Sequence, residues 1–154
     1  MNLFSQIKEK INKNKLEISV IGLGYVGLPV AYSFSKKFKV IGFDINTYRV
    51  KQLKKNNDIN KSISNQDLKN SKIKFSSDFR DMKNSEILII TTPTPITFSK
   101  NPDLSFIFKA LQFIIKLGIK NKFIILESTV YPGASENKFI KYLEKSTGLL
   151  VNND

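Results

Sequence analysis

The sequence predicts an α/β fold in which a doubly wound parallel sheet lies between two layers of helices. Short, nearly continuous apolar runs alternate with helical patterns from about residue 16 onward, as expected for strands buried on both faces. A glycine-rich turn follows the first apolar run, and an aspartate ends the second. The pattern predicts five strands: Glu17–Ile21, Lys39–Phe43, Lys72–Phe75, Ile87–Thr91 and Phe123–Glu127.

Three segments have the apolar spacing of amphipathic helices. Residues 104–117 form the clearest of them, and Asp103 and Gly118 can cap its two ends. A second helix is predicted to begin near Gly133 and run to about residue 145, and a lead-in helix is predicted within residues 3–13. We therefore divide the chain into a lead-in helix, residues 1–15, and an α/β domain, residues 16–154. Residues 56–64 look like a polar connector without apolar periodicity.

The last residues have the composition expected at the start of a further strand. Leu149 to Val151 has the composition of a further strand, but the sequence ends at Asp154. Because doubly wound sheets normally continue past this point, we expect the 154 residues to be part of something longer.

Composition excludes several kinds of chemistry. The 154 residues contain no Cys and no His, so they offer no disulfide, no thiolate nucleophile, no imidazole base and no metal site of the usual kind. The net charge of +12 is spread over scattered lysines, with only two arginines, which does not favour a nucleic-acid partner. No signal peptide or membrane-spanning run is visible, so we expect a soluble cytoplasmic protein without a membrane partner.

The glycine-rich turn has the spacing of a dinucleotide-binding motif. A strand ends directly at Gly22, and a helical pattern follows Gly27. The first glycine permits the tight turn, the second lets the backbone approach a diphosphate, and the third allows close packing of helix on strand. We expect the diphosphate to bind backbone N–H groups at the helix start. The cofactor-binding residues predicted here are Gly22, Leu23, Gly24, Tyr25, Val26 and Gly27.

Asp44 completes this unit of residues 16–44, which predicts a Rossmann-like fold. It ends the second strand, 22 residues after Gly22, close to the usual spacing of about 20. A carboxylate there accepts hydrogen bonds from the adenosine ribose and repels the 2′-phosphate of NADP, so NAD is the expected cofactor. The alternative is a loop aspartate that caps the helix beginning near Asn46. Arg49 is placed to reach the adenine or ribose, or else lies solvated on that helix.

Three later segments carry a family resemblance. They are Thr91-Thr92-Pro93-Thr94-Pro95, Asn101-Pro102-Asp103-Leu104-Ser105 and Glu127-Ser128-Thr129-Val130-Tyr131-Pro132-Gly133. In this order, each at a strand end or helix start, they resemble the UDP-glucose/GDP-mannose dehydrogenase family. The third segment is most similar to the family's UDP-N-acetylhexosamine 6-dehydrogenase branch, since the UDP-glucose branch usually has Lys before Ser-Thr.

The resemblance implies an NAD-dependent oxidation of a nucleotide sugar at its C6 alcohol to a carboxylate. It implies that Asp44 and Arg49 bind the adenosine half of NAD and that Thr129 positions water or an oxyanion at the reacting carbon. The groove toward the nicotinamide would be lined by Ile90, Thr91, Thr92, Pro93, Thr94 and Ser128. Read from the residues alone, Thr91 to Pro95 is a rigid loop limited by proline, and Thr129 is a helix-capping hydroxyl.

The sequence also departs from the family. The family's nucleophile is a Cys in a later loop, and the helpers, the dimerisation domain and the UDP-binding domain also lie further along. The 154 residues contain none of these, so we expect the chain to be inactive alone and the full-length enzyme to be a homodimer or larger. Two alternatives stay open: a UDP-glucose or GDP-mannose 6-dehydrogenase, and a free-standing NAD-binding module without catalysis.

Overall fold

Five parallel strands form a single sheet in the computed structural model, which describes residues 3–151. The strand order is β3-β2-β1-β4-β5, so the chain crosses from one side of β1 to the other between β3 and β4. The five predicted strands are confirmed, with the ends of three moved by one residue. The strands are β1 (Glu17–Ile21), β2 (Lys39–Phe43), β3 (Ile73–Ser76), β4 (Ile87–Ile90) and β5 (Phe123–Leu126).

Helices cover both faces of the sheet. A 3₁₀ helix, residues 79–82, lies between β3 and β4, and a π-helical stretch, residues 135–140, leads into the last helix. The α-helices are α1 (Leu3–Asn12), α2 (Gly27–Ser35), α3 (Thr47–Lys54), α4 (Asn65–Asn70), α5 (Ser105–Leu117) and α6 (Lys141–Thr147). None of these helices is long and apolar enough to span a bilayer.

Two apolar cores separate the layers, which confirms the three-layer α/β/α prediction. One core joins α1 to α4 with one face of the sheet, for example Leu28 and Leu53 against Val20. The other joins α5, the π-helical stretch and α6 with the opposite face, for example Leu111 against Leu88. The strands supply side chains to both cores because their side chains alternate between the two faces.

The predicted caps of α5 are present, although the helix begins one residue later than expected. The Asp103 carboxylate accepts the N–H of Ser105, the first residue of α5. Gly118 follows the last turn with a φ of 83° and donates its N–H to the Ile115 carbonyl. By contrast α4 was not predicted, because its six residues are too few to show a helical period.

One prediction at the end of the chain is wrong. Residues 149–151 form no strand: the N–H of Leu149 bonds to Thr147 Oγ1 and that of Val151 to Glu144, after Gly148 has ended α6 in a left-handed conformation. The helix predicted to begin near Gly133 is confirmed, since helical structure starts at Ala134, directly after Gly133 with its φ of 81°.

The approach of α2 to β1 is the tightest packing around the glycine turn. A Cβ built on Gly27 would overlap the Gly22 carbonyl oxygen and Thr91 Oγ1. A Cβ on Gly24, in contrast, would meet no atom within 4 Å. Of these two glycines, only Gly27 is therefore required for packing inside the protein itself.

We predict that Gly27→Ala destabilises the fold and that Gly24→Ala does not. Overpacking at Gly27 should lower the free energy of unfolding by about 2 kcal/mol or more, because the obstacle is backbone and cannot move aside. Gly24→Ala is the matched control and should stay within about 0.5 kcal/mol of wild type. Urea unfolding followed by circular dichroism measures both, and equal stability of the two variants would contradict this packing account.

Candidate functional site

The carboxyl ends of the strands lie level with one another along one edge of the sheet. Beyond each end, the next residue still bonds to the neighbouring strand: the N–H of Gly22 donates to Phe43 O, and that of Thr91 donates to Ile21 O. A cavity of about 720 Å³ opens above this edge. The connection after β1 runs toward β2 and the connection after β4 runs toward β5, on opposite sides of the sheet. The cavity lies between these two connections, which is the usual ligand position in such sheets.

The glycine turn brings bare backbone to the cavity. Gly22 has a φ of 97°, a conformation that side chains disfavour, and it turns the chain sharply out of β1. The first turn of α2 is in place, since the Leu28 N–H donates to the Gly24 carbonyl. Val26 precedes α2 and its side chain cannot cap the helix. The residues at this helix start, Gly24 to Val26, therefore border the cavity at the positive end of the helix dipole, without a side-chain cap.

Both backbone polar groups of Leu23 are hydrogen-bonded to side chains. Its N–H donates to Asp44 Oδ2 at 2.8 Å, and its carbonyl accepts from Arg49 Nε at 2.9 Å. Its side chain is fully buried. Leu23 borders the cavity as predicted, but its own polar backbone groups are already used to fix the turn.

Asp44 does not cap the following helix. That task belongs to Asn46, whose side chain accepts the N–H of Arg49 at the start of α3. Asp44 instead bridges two backbone N–H groups, those of Leu23 and Asn46, with one carboxylate oxygen each. Each oxygen keeps a further lone pair at the cavity wall, available to a ribose hydroxyl.

Arg49 is buried rather than solvated, with 9 % of its side chain exposed. Its Nη1 lies 2.7 Å from Asp58 Oδ1, in an ion pair whose N–H is not aligned with the oxygen. Its Nη2 has no hydrogen-bond partner among residues 3–151. A buried donor without a partner costs free energy, so Arg49 has unused capacity for a ligand at this wall.

Asp58 anchors the polar connector beside Arg49. Burial acts to raise its pKa, but hydrogen bonds from Ser62 Oγ and the Ile63 N–H, together with the ion pair to Arg49, outweigh that effect, so the pKa lies below its usual value. The carboxylate therefore stabilises the fold above pH about 4, and this contribution is lost as the pH falls through the lowered pKa.

The loops after β4 and β5 are bonded to each other at the other end of the cavity. Ser128 Oγ donates to Thr92 O at 2.7 Å, and Thr94 Oγ1 donates to Thr129 O at 2.9 Å. Thr91 is turned away from them: its hydroxyl lies 2.7 Å from Gly22 O and donates to it. Thr129 itself is exposed at the rim.

Most of the predicted site residues border the cavity together, and two lie behind it. Gly27 packs against the turn, and Ile90 is buried in the apolar core with 1 % of its surface exposed. Ile90 ends β4 and points to the helical layer, so it supports the groove without lining it. The predicted residues that border the cavity are Gly22, Leu23, Gly24, Tyr25, Val26, Asp44, Arg49, Thr91, Thr92, Pro93, Thr94, Ser128 and Thr129.

Sequence reasoning missed one wall of the cavity. Phe106, Lys109 and Phe113 project from one side of α5, where their spacing of three and four residues is the available signal. Asn60 comes from the polar connector, for which the sequence holds no such signal. Ile45, directly after Asp44, adds an apolar surface.

The residues present fit a dinucleotide. The cavity is of ligand size, its glycine turn leaves open space at Gly24, and a buried guanidinium nitrogen at its wall lacks a partner. The Asp44 carboxylate is suited to ribose hydroxyls and the start of α2 to a diphosphate. Among residues 3–151 no group of three or more carboxylate, His or Cys side chains could hold a metal ion.

Comparison with known proteins agrees with this fit. Residues 16–152 match the NAD binding domain of the UDP-glucose/GDP-mannose dehydrogenase family. Protein CapL of Staphylococcus aureus is 44 % identical over 144 residues, 94 % of this chain and 33 % of the relative. The UDP-N-acetyl-D-glucosamine 6-dehydrogenase of Pseudomonas aeruginosa is 43 % identical over 140 residues, 90 % of this chain and 33 % of the relative.

A solved structure confirms the fold at the level of the backbone. The UDP-D-ManNAc dehydrogenase of Pyrococcus horikoshii matches with a TM-score of 0.79 and 31 % identity, over 89 % of this chain and 34 % of that one. The chain thus spans about a third of the length of the relatives it matches. Its cofactor is NAD, and the chain belongs to the UDP-glucose/GDP-mannose dehydrogenase family as an NAD-binding domain.

Proposed function

We propose that this domain supplies the NAD half of a UDP-N-acetylhexosamine 6-dehydrogenase, which oxidises the sugar C6 alcohol to a carboxylate. The cavity at the sheet edge carries the proposal, because it joins a bare glycine turn, a carboxylate suited to ribose hydroxyls and a hydroxyl-rich rim in one groove. The similarity to CapL and to the Pseudomonas enzyme supports the choice of branch. We further propose that the enzyme acts in the cytoplasm, on precursors of surface polysaccharides.

NAD would lie along the groove from Asp44 to Thr129. Asp44 and Arg49 would bind the adenosine, and the N–H groups of the turn, Gly24 to Gly27, would bind the diphosphate. The nicotinamide would then reach Thr92, Pro93, Thr94 and Ser128, with Thr91 fixing the turn from below. Thr129 at the rim would position water or an oxyanion at the reacting carbon.

The domain holds the oxidant and relies on other parts of the enzyme for covalent chemistry. Its 154 residues contain no Cys, whereas the reaction of the family uses a Cys nucleophile. The UDP-sugar partner and the subunit contacts would likewise belong to the rest of the enzyme, which we propose to be a homodimer or larger.

We predict that the chain prefers NAD to NADP and that Asp44→Asn weakens NAD binding. Loss of a charge-assisted bond to the ribose should raise the Kd for NAD about tenfold or more, and should narrow the preference over NADP. Isothermal titration calorimetry measures both. Asp67→Asn on α4 is the matched control, since it removes one carboxylate charge away from the cavity. Equal affinity of the wild type for NAD and NADP would contradict the role of Asp44.

We further predict that these 154 residues become active only when joined to the remaining two thirds of a relative. With NAD and UDP-N-acetylglucosamine, the 154-residue chain should form no NADH. A chimera in which residues 1–151 replace the matching third of the Pseudomonas enzyme should form NADH, measured by the near-ultraviolet absorbance of the reduced cofactor, with a kcat on the order of 1–10³ s⁻¹. Sustained NADH from the chain alone, or a folded chimera that binds NAD without oxidising the sugar, would contradict the proposal.

A further inference from the structure

Asp58 is the most completely bonded carboxylate around the cavity, yet it does not border the cavity itself. Its side chain has no exposed surface. Oδ1 accepts the Asn60 N–H, and Oδ2 accepts the N–H groups of Ser62 and Ile63 and the Ser62 hydroxyl. These bonds fold a connector without helix or strand around one buried charge.

The same carboxylate reaches the glycine turn through Arg49. Asp58 Oδ1 lies 2.7 Å from Arg49 Nη1, and Arg49 Nε donates to the Leu23 carbonyl at 2.9 Å. The Arg49 side chain extends from α3 between the Asp58 carboxylate and the Leu23 carbonyl. Its guanidinium is therefore fixed by one contact at Nη1 and another at Nε. Removing the Asp58 charge would leave a buried guanidinium without a counterion, which is strongly unfavourable. The guanidinium would then turn toward water and release Leu23.

Two consecutive peptide planes of the turn are fixed in this way. In the first, the Gly22 carbonyl accepts from Thr91 Oγ1 and the Leu23 N–H donates to Asp44. In the second, Arg49 holds the Leu23 carbonyl, and the other end of that plane is the Gly24 N–H. Because a trans peptide is planar, its N–H points opposite to its carbonyl. The bond from Arg49 to Leu23 therefore sets the direction of the Gly24 N–H.

We propose that Asp58 is a positioning residue for the cofactor diphosphate: acting through Arg49, it orients the Gly24 amide toward the cavity. The proposal rests on the proposed function in one respect, namely that NAD binds at this turn. Asp58 touches no cofactor atom and acts only on the direction of a donor. A purely structural Asp58 would fold the connector and leave the turn unaffected.

Asp58→Asn separates these roles when it is compared with Ser62→Ala. Both variants weaken the connector, but only the first breaks the ion pair with Arg49. Asp58→Asn should raise the Kd for NAD about tenfold, whereas Ser62→Ala should stay within about twofold of wild type. In an Arg49→Gln background, Asp58→Asn should add less than about twofold, because the two residues act as one unit.

A second measurement needs no cofactor. The residual dipolar coupling of the Gly24 N–H reports its direction in the free chain, relative to couplings from the five strands. Asp58→Asn should move this coupling away from the wild-type value, and Ser62→Ala should not. If Asp58→Asn does not fold, Asp58→Glu keeps the charge but displaces it by one methylene, and should shift the same coupling.

The outcomes of these two measurements distinguish a positioning role of Asp58 from a purely structural one. A wild-type Gly24 coupling and a wild-type Kd in Asp58→Asn, or in Asp58→Glu if that variant replaces it, would overturn the proposal. Equal losses in Ser62→Ala would overturn it as well, since they would show that only the connector matters. A wild-type chain that binds no NAD would instead contradict the proposed function, and the Gly24 coupling would still test the orientation.

Discussion

The contact between Gly27 and the Gly22 carbonyl is the constraint on which the rest of the site depends. It lets α2 begin close to the end of β1, so that the positive end of the helix dipole lies at the edge of the sheet. Any side chain at Gly27 would push the helix outward and widen the turn. This close contact between Gly27 and Gly22 sets the positions of Leu23 and Gly24. It therefore also sets how closely a diphosphate can approach the backbone.

Polar contacts fix the conformation of the glycine turn, which packing alone does not determine. A glycine turn has many accessible conformations, and an isolated one would lose much entropy on binding a ligand. Here Thr91, Asp44 and Arg49 each hold one backbone group of the turn before any cofactor arrives. The site is thus preorganised by the residues that directly follow β4 and β2 and by one residue of α3, which lowers the ordering cost of binding.

The sequence alone was sufficient to predict those features of the fold and the site that have a short-range sequence pattern. The strands, the glycine turn and Asp44 were predictable because apolar runs, glycine spacing and an acid after a strand are short-range patterns. The burial of Arg49 and Asp58 was not, since it arises only when the connector folds back on α3. The strand predicted at residues 149–151 failed for the same reason: apolar residues form a strand only beside a partner.

The central claim is that NAD binds along the sheet edge, and an NMR titration of the chain with NAD tests it most directly. Amide shifts should concentrate at Gly24 to Gly27, at Asn60, and from Thr92 to Thr94, with saturation at one equivalent. The smaller cavity of about 310 Å³ near Leu53 and Phe75 serves as an internal control. Shifts centred on that cavity, or no shifts at the glycine turn under saturating NAD, would contradict the account.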